Sequence, residues 1–241
     1  MKNLLFILLF FTAIIGFSQT KGKITYKVSM IKDSLDLPYE NPENTDTRNE
    51  VLEMMHNAQP VEAYLIFNDS IALYDIEPDT ELPIWNNDNG NITTGRAKIN
   101  LTWIFAGGDG LYYTDWSRNY NISQKDVFNV TKRIKKDSVK WVLTNETKNI
   151  KGYECLKAKI EDTKIEVWYT PKIPVKHGPK GINGLPGLVL EVRSGKRFLT
   201  TVKNIDFNNT EYELIEEPTE GPLIEEKEYR EMGKVIFSGK N

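Results

Sequence analysis

Histidine and cysteine, the side chains that most often supply acid–base, nucleophilic or metal chemistry, are scarce in this sequence. It contains two histidines, His56 and His177, and one cysteine, Cys155. A structural zinc site needs four such ligands, and neither histidine has another His or Cys at ligand spacing. We therefore expect no metal and no cofactor. Cys155 lies in a strand-like run, which predicts a buried small hydrophobic residue rather than a reactive thiol.

The sequence also offers little evidence for a catalytic serine or a catalytic carboxylate pair. No Gly-x-Ser-x-Gly elbow is present. The 34 Asp and Glu residues are distributed along the chain in the way expected of residues on solvent-exposed strand faces. The glycine run Gly107–Gly110 lacks the strand–GxGxxG–helix context of a dinucleotide site and predicts a turn. No catalytic residue can be assigned. A hydrolase that uses scattered carboxylates remains an alternative.

The candidate binding residues cluster in a loop from Thr170 to Gly187 that is dense in proline and glycine, which we call the Pro/Gly loop. Proline fixes φ and glycine permits positive φ, so the loop should be stiff and shaped. Ordered loops of this length are uncommon and often functional. Pro186 and Gly187 suit the centre of a type II turn. The candidate residues are Trp168, Pro171, Pro174, His177, Lys180, Gly184, Leu185, Pro186 and Gly187.

Two interpretations of the Pro/Gly loop remain open. It is either a rigid crossover that bridges two parts of a sheet or a docking surface for a ligand or partner. In the crossover interpretation, His177 and Lys180 are exposed polar residues whose replacement by Ala should change stability by only about 0.5 kcal/mol. In the docking interpretation, the same replacements should abolish binding and leave the melt unchanged.

The elements that must position these residues are mostly strands. Alternating apolar and polar residues over 24–30 and 61–67 predict strands with one face on a core. Asn68-Asp69-Ser70 then predicts a hairpin turn before a strand over 71–74. Further strands are predicted over 111–114, 120–122, 127–134, 141–144, 153–160, 165–170, 188–192 and 198–205. Residues 77–110 are the least regular part.

Helical signals are few. Asp46 can cap a helix that carries Val51, Leu52, Met54 and Met55 and ends before Pro60. A short helix is predicted over 225–232 within an acidic C-terminal tail, residues 210–241. Closely spaced strands without helices between them favour a mainly β fold (β-rich α+β). We expect an antiparallel curved sheet, half-barrel or sandwich-like, with one or two short helices.

The N-terminus has the three parts of a secretory signal peptide. Lys2 precedes an apolar stretch from Leu4 to Ile15, and Gly16 and Ser18 place small residues at −3 and −1 of a cleavage site. The apolar stretch is shorter than the roughly twenty residues of a spanning helix. We expect cleavage after Ser18, an exported periplasmic or extracellular protein without a transmembrane segment, and one β-rich domain over residues 19–241.

Charge excludes one broad class of partner. The formal net charge is −3, and acidic and basic residues are interspersed. A nucleic-acid-binding protein needs a basic footprint, so no nucleic acid is expected. The sequence sets no oligomeric state.

The passage around the Pro/Gly loop resembles the signature of the GLPGLI family, exported proteins of Gram-negative bacteria. Gly184-Leu185-Pro186-Gly187-Leu188 matches the motif, with Val189 in place of the usual Ile. The likeness continues upstream through Trp168-Tyr169-Thr170-Pro171, Gly152-Tyr153 and Trp141. The resemblance implies a β-rich envelope protein and transfers no active site.

These observations favour an exported binding or accessory module of the cell envelope. A curved sheet with a helix on its concave face would offer an apolar groove, so we expect an apolar small molecule or an envelope protein as partner. A structural component of an envelope complex remains a further alternative.

Overall fold

The computed structural model describes residues 20–31, 52, 54–77, 100–108, 110–127 and 130–237, without the side chains of residues 233–237. The signal peptide and the start of the helix predicted after Asp46 lie outside the described residues. Residues 52 and 54–57 are helical, and this helix ends before Pro60 as predicted. No described helix is long and apolar enough to cross a membrane.

Twelve described strands form one sheet, which confirms the mainly β prediction. They are β1 (Gly22–Met30), β2 (Val61–Phe67), β3 (Ile71–Ile76), β4 (Gly110–Asp115), β5 (Tyr120–Val127), β6 (Val130–Lys135), β7 (Trp141–Ile150), β8 (Tyr153–Ile160), β9 (Ile165–Thr170), β10 (Leu188–Ser194), β11 (Phe198–Asp206) and β12 (Leu223–Glu225). Two α-helices with described bounds accompany the sheet, α1 (Leu101–Ala106) and α2 (Glu226–Phe237).

The sheet is antiparallel except at one edge. Its strand order is β12-β6-β5-β4-β3-β2-β1-β11-β10-β9-β8-β7, and β12 pairs with β6 in parallel. The hairpin predicted at Asn68-Asp69-Ser70 is present and joins β2 to β3. At the β2–β3 turn, the Asn68 side chain accepts hydrogen bonds from the backbone N–H groups of Ser70 and Ile71, which explains why Asn occupies this position.

The chain between β6 and β7 shows that the sheet curls. These strands stand ten positions apart in the sheet order. At a spacing of about 4.8 Å, ten steps span roughly 48 Å in a flat sheet. The link between Lys135 and Trp141 can extend to only about 21 Å. The two ends of the sheet therefore approach each other, as predicted for a half-barrel.

Three groups of buried residues fill the described part of the fold, the smallest being Met30, Met55, Ala58 and Phe198. The main core takes side chains from seven strands and α1, and its largest members include Tyr26, Phe67 and Tyr74. The second core lies on β8, β9 and β10 around Val167, Tyr169 and Val189, and Trp141 packs against it.

Three details differ from the sequence-based expectation. The strand predicted over 127–134 is the end of β5 and most of β6, which form a hairpin. Helix α1 falls in the stretch expected to be irregular; Asn100 caps it by accepting from Thr102 N–H, and Gly107 ends it in the left-handed conformation. The predicted C-terminal helix is present and extends further, to Phe237.

Candidate functional site

The Pro/Gly loop leaves the sheet and returns to the neighbouring strand. It connects β9 to β10, and these two strands pair antiparallel with Thr170 opposite Leu188 at the loop's base. As a chain connection, the loop therefore joins two neighbouring strands rather than distant ones. It is a long excursion whose two ends are adjacent.

Backbone hydrogen bonds hold the excursion in one shape. Leu188 N–H donates to the Ile173 carbonyl at 2.9 Å, and Val189 N–H donates to the His177 carbonyl at 3.0 Å. Gly184 N–H donates to the Lys176 carbonyl at 3.0 Å. Each bond joins the outgoing and returning halves of the loop, so the predicted stiffness has a direct structural basis.

The turn at the end of the loop is not the predicted type II turn. A type II turn would hydrogen-bond Leu188 N–H to the Leu185 carbonyl, but Leu188 bonds to Ile173 instead. Gly187 N–H donates to the Leu185 carbonyl at 2.8 Å, which closes a three-residue turn around exposed Pro186. Gly187 is required for another reason: a Cβ there would lie 2.3 Å from the Thr170 carbonyl oxygen.

Apolar side chains of the loop enter both cores. Ile173 and Val175 are buried in the main core, whereas Leu185 is buried in the second core and Ile182 packs against it. The loop thus contributes apolar side chains to both cores.

His177 is buried, which contradicts its expected exposure. It is 1% exposed, and its Nε2–H donates to the Asn68 carbonyl at 2.9 Å, so the loop is attached to the β2–β3 hairpin. Its Nδ1 has no partner among the described residues. Burial lowers the pKa of His177 to about 4, and the bond to Asn68 opposes this shift only in part.

Lys180 attaches the loop to helix α1. Its backbone has φ of 57°, and its ammonium donates to the Phe105 carbonyl at 2.5 Å. The ammonium also lies 5.7 Å from the centre of the Phe105 ring. Lys180 is therefore a partly buried structural residue rather than the exposed side chain that was expected.

The other sequence-predicted residues do not converge. Trp168 lies on β9, where the ammonium groups of Lys148 and Lys157 are 4.4 and 5.7 Å from its ring centre. Pro171 and Pro174 are exposed. Of the nine candidates, Gly184 alone lines the cleft described next.

A polar cleft lies where the two ends of the curled sheet meet. It is built from residues 114–116 and 119–121 of the β4–β5 hairpin, residues 136–139 of the β6–β7 link, and Asn183 and Gly184 of the Pro/Gly loop. Its volume is about 230 Å³. A Cβ on Gly184 would lie 3.5 Å from the Trp116 ring and 3.6 Å from Trp141 Nε1, so the loop passes between these two indoles.

A chain of side-chain hydrogen bonds shapes the cleft. Asn183 Nδ2 donates to Thr114 Oγ1 at 3.1 Å, and Thr114 Oγ1 donates to Asn121 Oδ1 at 3.3 Å. Trp141 Nε1 donates to the Asn183 carbonyl at 3.0 Å. The indole N–H of Trp116 is buried and has no acceptor among the described residues. Unpartnered buried donors are rare, so this one requires an explanation.

Two charged groups of the cleft are held by partners outside it. Asp115 is 6% exposed and accepts hydrogen bonds from Ser117 and from Arg118 Nε. Burial alone would raise the pKa of Asp115, but these bonds outweigh it and keep the pKa below its usual value. The Lys136 ammonium is paired with Glu226 at the start of α2. The cleft also presents the exposed carboxylate of Asp137, which lies 3.8 Å from Arg230, and the side-chain amides of Asn119, Asn121 and Asn183.

The described residues offer little support for a metal site or a reactive thiol. No group of three or more His, Cys, Asp and Glu side chains there could hold a metal ion. Cys155 is buried, as predicted, and burial raises the pKa of its thiol to about 11, which suppresses the thiolate.

Sequence inspection did not identify the cleft. Asn183 lies more than sixty positions from Asn119 and Asn121, and short polar residues in turns ordinarily hydrogen-bond to the local backbone. The available signal was the Asn-rich turn after Trp116 together with the polar Asn183 inside an otherwise apolar motif.

Known proteins place the chain in a family. The family model described as "N-glycanase peptide, N-terminal domain" matches residues 110–230, half of the chain. Two solved structures of PNGF-II, in space groups P21 and C2, are similar with a TM-score of 0.49 each and 17% and 16% identity. The match covers 88% of this chain but only 33% and 32% of those chains, so this chain spans about a third of their length. No curated protein matches it.

These matches correct the GLPGLI resemblance. The Gly184–Leu188 passage is similar to that family's signature, but the family model that matches the chain is a different one, and it includes this passage. The chain belongs to the family of N-glycanase N-terminal domains.

Proposed function

We propose that this domain is an exported, non-catalytic binding module of an N-glycan-processing protein, and that its polar cleft binds a hydroxyl-rich group. The observation that carries the proposal is the cleft's set of side chains: three asparagines, the carboxylates of Asp115 and Asp137, and a buried indole N–H that has no acceptor among the described residues. The family description supplies the link to N-glycans.

The chemistry of the cleft suits sugar hydroxyls. An amide offers both donors and acceptors, a carboxylate offers acceptors alone, and an indole N–H offers one donor. A hydroxyl can donate and accept at once, so neighbouring hydroxyls on a ring can satisfy such a mixed lining. The cleft is smaller than the roughly 300–1,000 Å³ of drug-sized pockets, which suits one sugar residue rather than a long chain.

The rigidity of the cleft supports binding rather than turnover. Asn183 and Gly184 are fixed by the stiff Pro/Gly loop, and Thr114 and Asn121 are fixed by strand pairing. Preorganised polar groups lower the entropy cost of binding. A module that only presents a ligand to a neighbouring domain needs this preorganisation and no reactive group.

The hydrolase alternative has less support. A general acid needs a raised pKa, yet hydrogen bonds and ion pairs keep the pKa of the buried carboxyls Asp115 and Glu226 below their usual values. Burial does raise the pKa of Asp75, but that residue is largely exposed and lies away from the cleft.

Export and partners complete the proposal. The charged, apolar and small-residue pattern of residues 1–18 supports cleavage after Ser18 and a periplasmic or extracellular location. An apolar ligand has less support than a polar one, because Ile173 and Val175 occupy the main core. An envelope protein partner or a purely structural role predicts no ligand in the cleft.

The test is a binding titration with three probes: a glycopeptide that bears an N-glycan, the released glycan and the bare peptide. We expect the first two to bind and the third not to bind. Trp116→Phe removes the indole N–H and keeps an aromatic ring. Since a net hydrogen bond contributes about 0.5–1.5 kcal/mol, the variant should bind roughly threefold to tenfold more weakly.

Trp168→Phe is the matched control, since Trp168 lies on β9 outside the cleft. It should bind like the parent protein, and both variants should melt cooperatively. Absence of glycan binding by the parent protein, or an equal loss in the two variants, would exclude the polar cleft as the binding site. Preferential binding of an apolar probe would restore the apolar-ligand hypothesis.

A further inference from the structure

A second concave surface lies on the strands β8 to β11 and differs in charge from the rest of the sheet. It has a volume of about 800 Å³ and is lined by Phe105 and Phe198, by residues 159, 163, 164 and 166, and by residues 193–197. We call it the basic groove, because five of its eleven lining residues are Lys or Arg and one is acidic. The whole chain carries a net charge of −3, so this local excess is not a general property of the protein.

Most cations on the sheet are paired with carboxylates. Lys148 pairs with Glu191 at 2.6 Å, and Lys23 pairs with Glu211 at 2.9 Å. In each pair a carboxylate of the same chain balances the cation, so the cation is not free to bind an anionic ligand.

Two cations of the basic groove depart from this arrangement. The Lys164 ammonium has no hydrogen bond or ion pair among the described residues. The Arg193 guanidinium bonds only to the Gly195 carbonyl, through Nε at 3.4 Å. Glu166 stands opposite Arg193 on β9, but its carboxylate is taken by Lys157 and Lys159 at 3.3 and 3.4 Å.

The same groove exposes an aromatic ring. Phe105 stacks on Phe198 with 3.4 Å between ring centres and an angle of 13° between the rings, yet Phe105 remains 45% exposed. An aromatic surface beside cations suits a ligand that joins an apolar ring face to an anionic group. A sugar ring that carries a carboxylate or a sulfate has both features. A guanidinium also matches the planar geometry of such anions.

The groove is on a rigid base. Lys164 and Arg193 sit at the ends of neighbouring hairpins, where Gly195 N–H donates to the Lys164 carbonyl at 2.8 Å. The two cations are therefore held on adjacent strands. We propose that the basic groove binds an acidic saccharide, one whose rings carry carboxylate or sulfate groups, at a place separate from the polar cleft.

The experiment is a calorimetric titration of the full chain at low salt with five probes. They are a uronic-acid tetrasaccharide, a sulfated tetrasaccharide, a neutral tetrasaccharide, an acidic decapeptide and inorganic sulfate. We expect the two acidic saccharides to bind and the neutral one not to bind to the groove. Binding should weaken as salt rises, because screening at 0.15 M acts over about 8 Å.

The variant Lys164→Gln/Arg193→Gln should weaken binding of the acidic saccharides about tenfold or more, through loss of two charge-assisted contacts. Lys172→Gln/Lys227→Gln removes the same charge from two exposed sites outside the groove and should leave binding unchanged. Phe105→Ala should weaken the saccharides but not inorganic sulfate. A cooperative melt in each variant will show that the fold is intact.

Several outcomes would overturn the proposal. The acidic decapeptide could bind as tightly as the saccharides, which would make the groove a peptide site. The two double variants could lose affinity equally, which would indicate general electrostatic attraction. Equal binding of neutral and acidic saccharides, or no binding at low salt, would also reject it. Loss of binding by Trp116→Phe alone would assign the ligand to the polar cleft instead.

Discussion

His177 attaches the Pro/Gly loop to the β2–β3 hairpin, and its protonation state affects this attachment. Its Nε2–H is bonded to the Asn68 carbonyl across 109 positions of sequence, and its ring lies 6.1 Å from that of Phe67. Burial outweighs the favourable charge of Asp69, so protonation of this imidazole destabilises the fold. The sequence suggested His177 as a docking residue. In the fold it instead stabilises the Pro/Gly loop through a buried hydrogen bond.

We predict that His177 makes the fold sensitive to acid. Its pKa in the folded protein is about 4, below the value of 6.5 in an unfolded chain, so the unfolded state binds the proton more readily. The stability contributed by the neutral ring is complete above pH 6.5 and is lost as pH falls toward 4. The loss should reach about 2 kcal/mol at pH 5 and about 3 kcal/mol near pH 4. Denaturant unfolding at pH 7.5, 6 and 5 will measure it.

His177→Gln keeps a side-chain donor but cannot titrate in this range. It should be less stable than the parent protein at pH 7.5 and should lose less stability between pH 7.5 and 5. His56→Gln is the matched control, because His56 is exposed at the end of its helix, and it should follow the parent protein. An unchanged acid slope in His177→Gln would show that other groups control acid sensitivity.

At the scale of elements, the turn before β10 illustrates how a close approach can require glycine. We predict that Gly187→Ala destabilises by about 3 kcal/mol or more, since overpacking against fixed backbone is among the costly kinds of substitution. The added Cβ would lie 2.3 Å from the Thr170 carbonyl oxygen, at the base of the β9–β10 pair. Thermal and denaturant unfolding will measure the change.

Gly195 provides the comparison in the neighbouring β10–β11 turn. It has φ of 61°, but a Cβ there meets nothing within 4 Å. Gly195→Ala should therefore cost only the left-handed penalty, about 1–2 kcal/mol. Equal losses in the two variants would mean that backbone conformation, and not the contact with Thr170, makes Gly187 necessary.

Local patterns predicted the elements well and the site poorly, for a physical reason. Alternation in β1 and the Asn68 turn are set by neighbouring residues, so the sequence shows them directly. The burial of His177 depends on Asn68, and the polar cleft depends on Asn183 reaching Thr114, 69 positions away. Such contacts follow from the curl of the sheet, which no local pattern encodes.

At the scale of the whole molecule, the Pro/Gly loop joins parts that the sheet alone holds separate. It contributes Ile173 and Val175 to the main core and Leu185 to the second core. Asn183 bonds to Thr114 beside Trp116, while its carbonyl accepts from Trp141 on β7, at the opposite end of the sheet order. The loop thus contacts strands on both sides of the gap in the half-barrel and stabilises its closure.

This arrangement predicts that both cores unfold in one transition. Leu185→Ala should destabilise by about 2–5 kcal/mol, the usual range for a buried Leu, because Leu185 is only 1% exposed. Far-ultraviolet circular dichroism reports the sheet, and tryptophan fluorescence reports the five tryptophans, which include Trp116 and Trp141 beside the loop. The two signals should shift together to the same lower midpoint, since coincident transitions indicate a single cooperative unit.

Leu143→Ala, at a position that is 60% exposed on β7, should change stability by less than about 0.5 kcal/mol. Separate midpoints for the two signals in Leu185→Ala would mean that the loop fastens a subdomain and not the whole sheet.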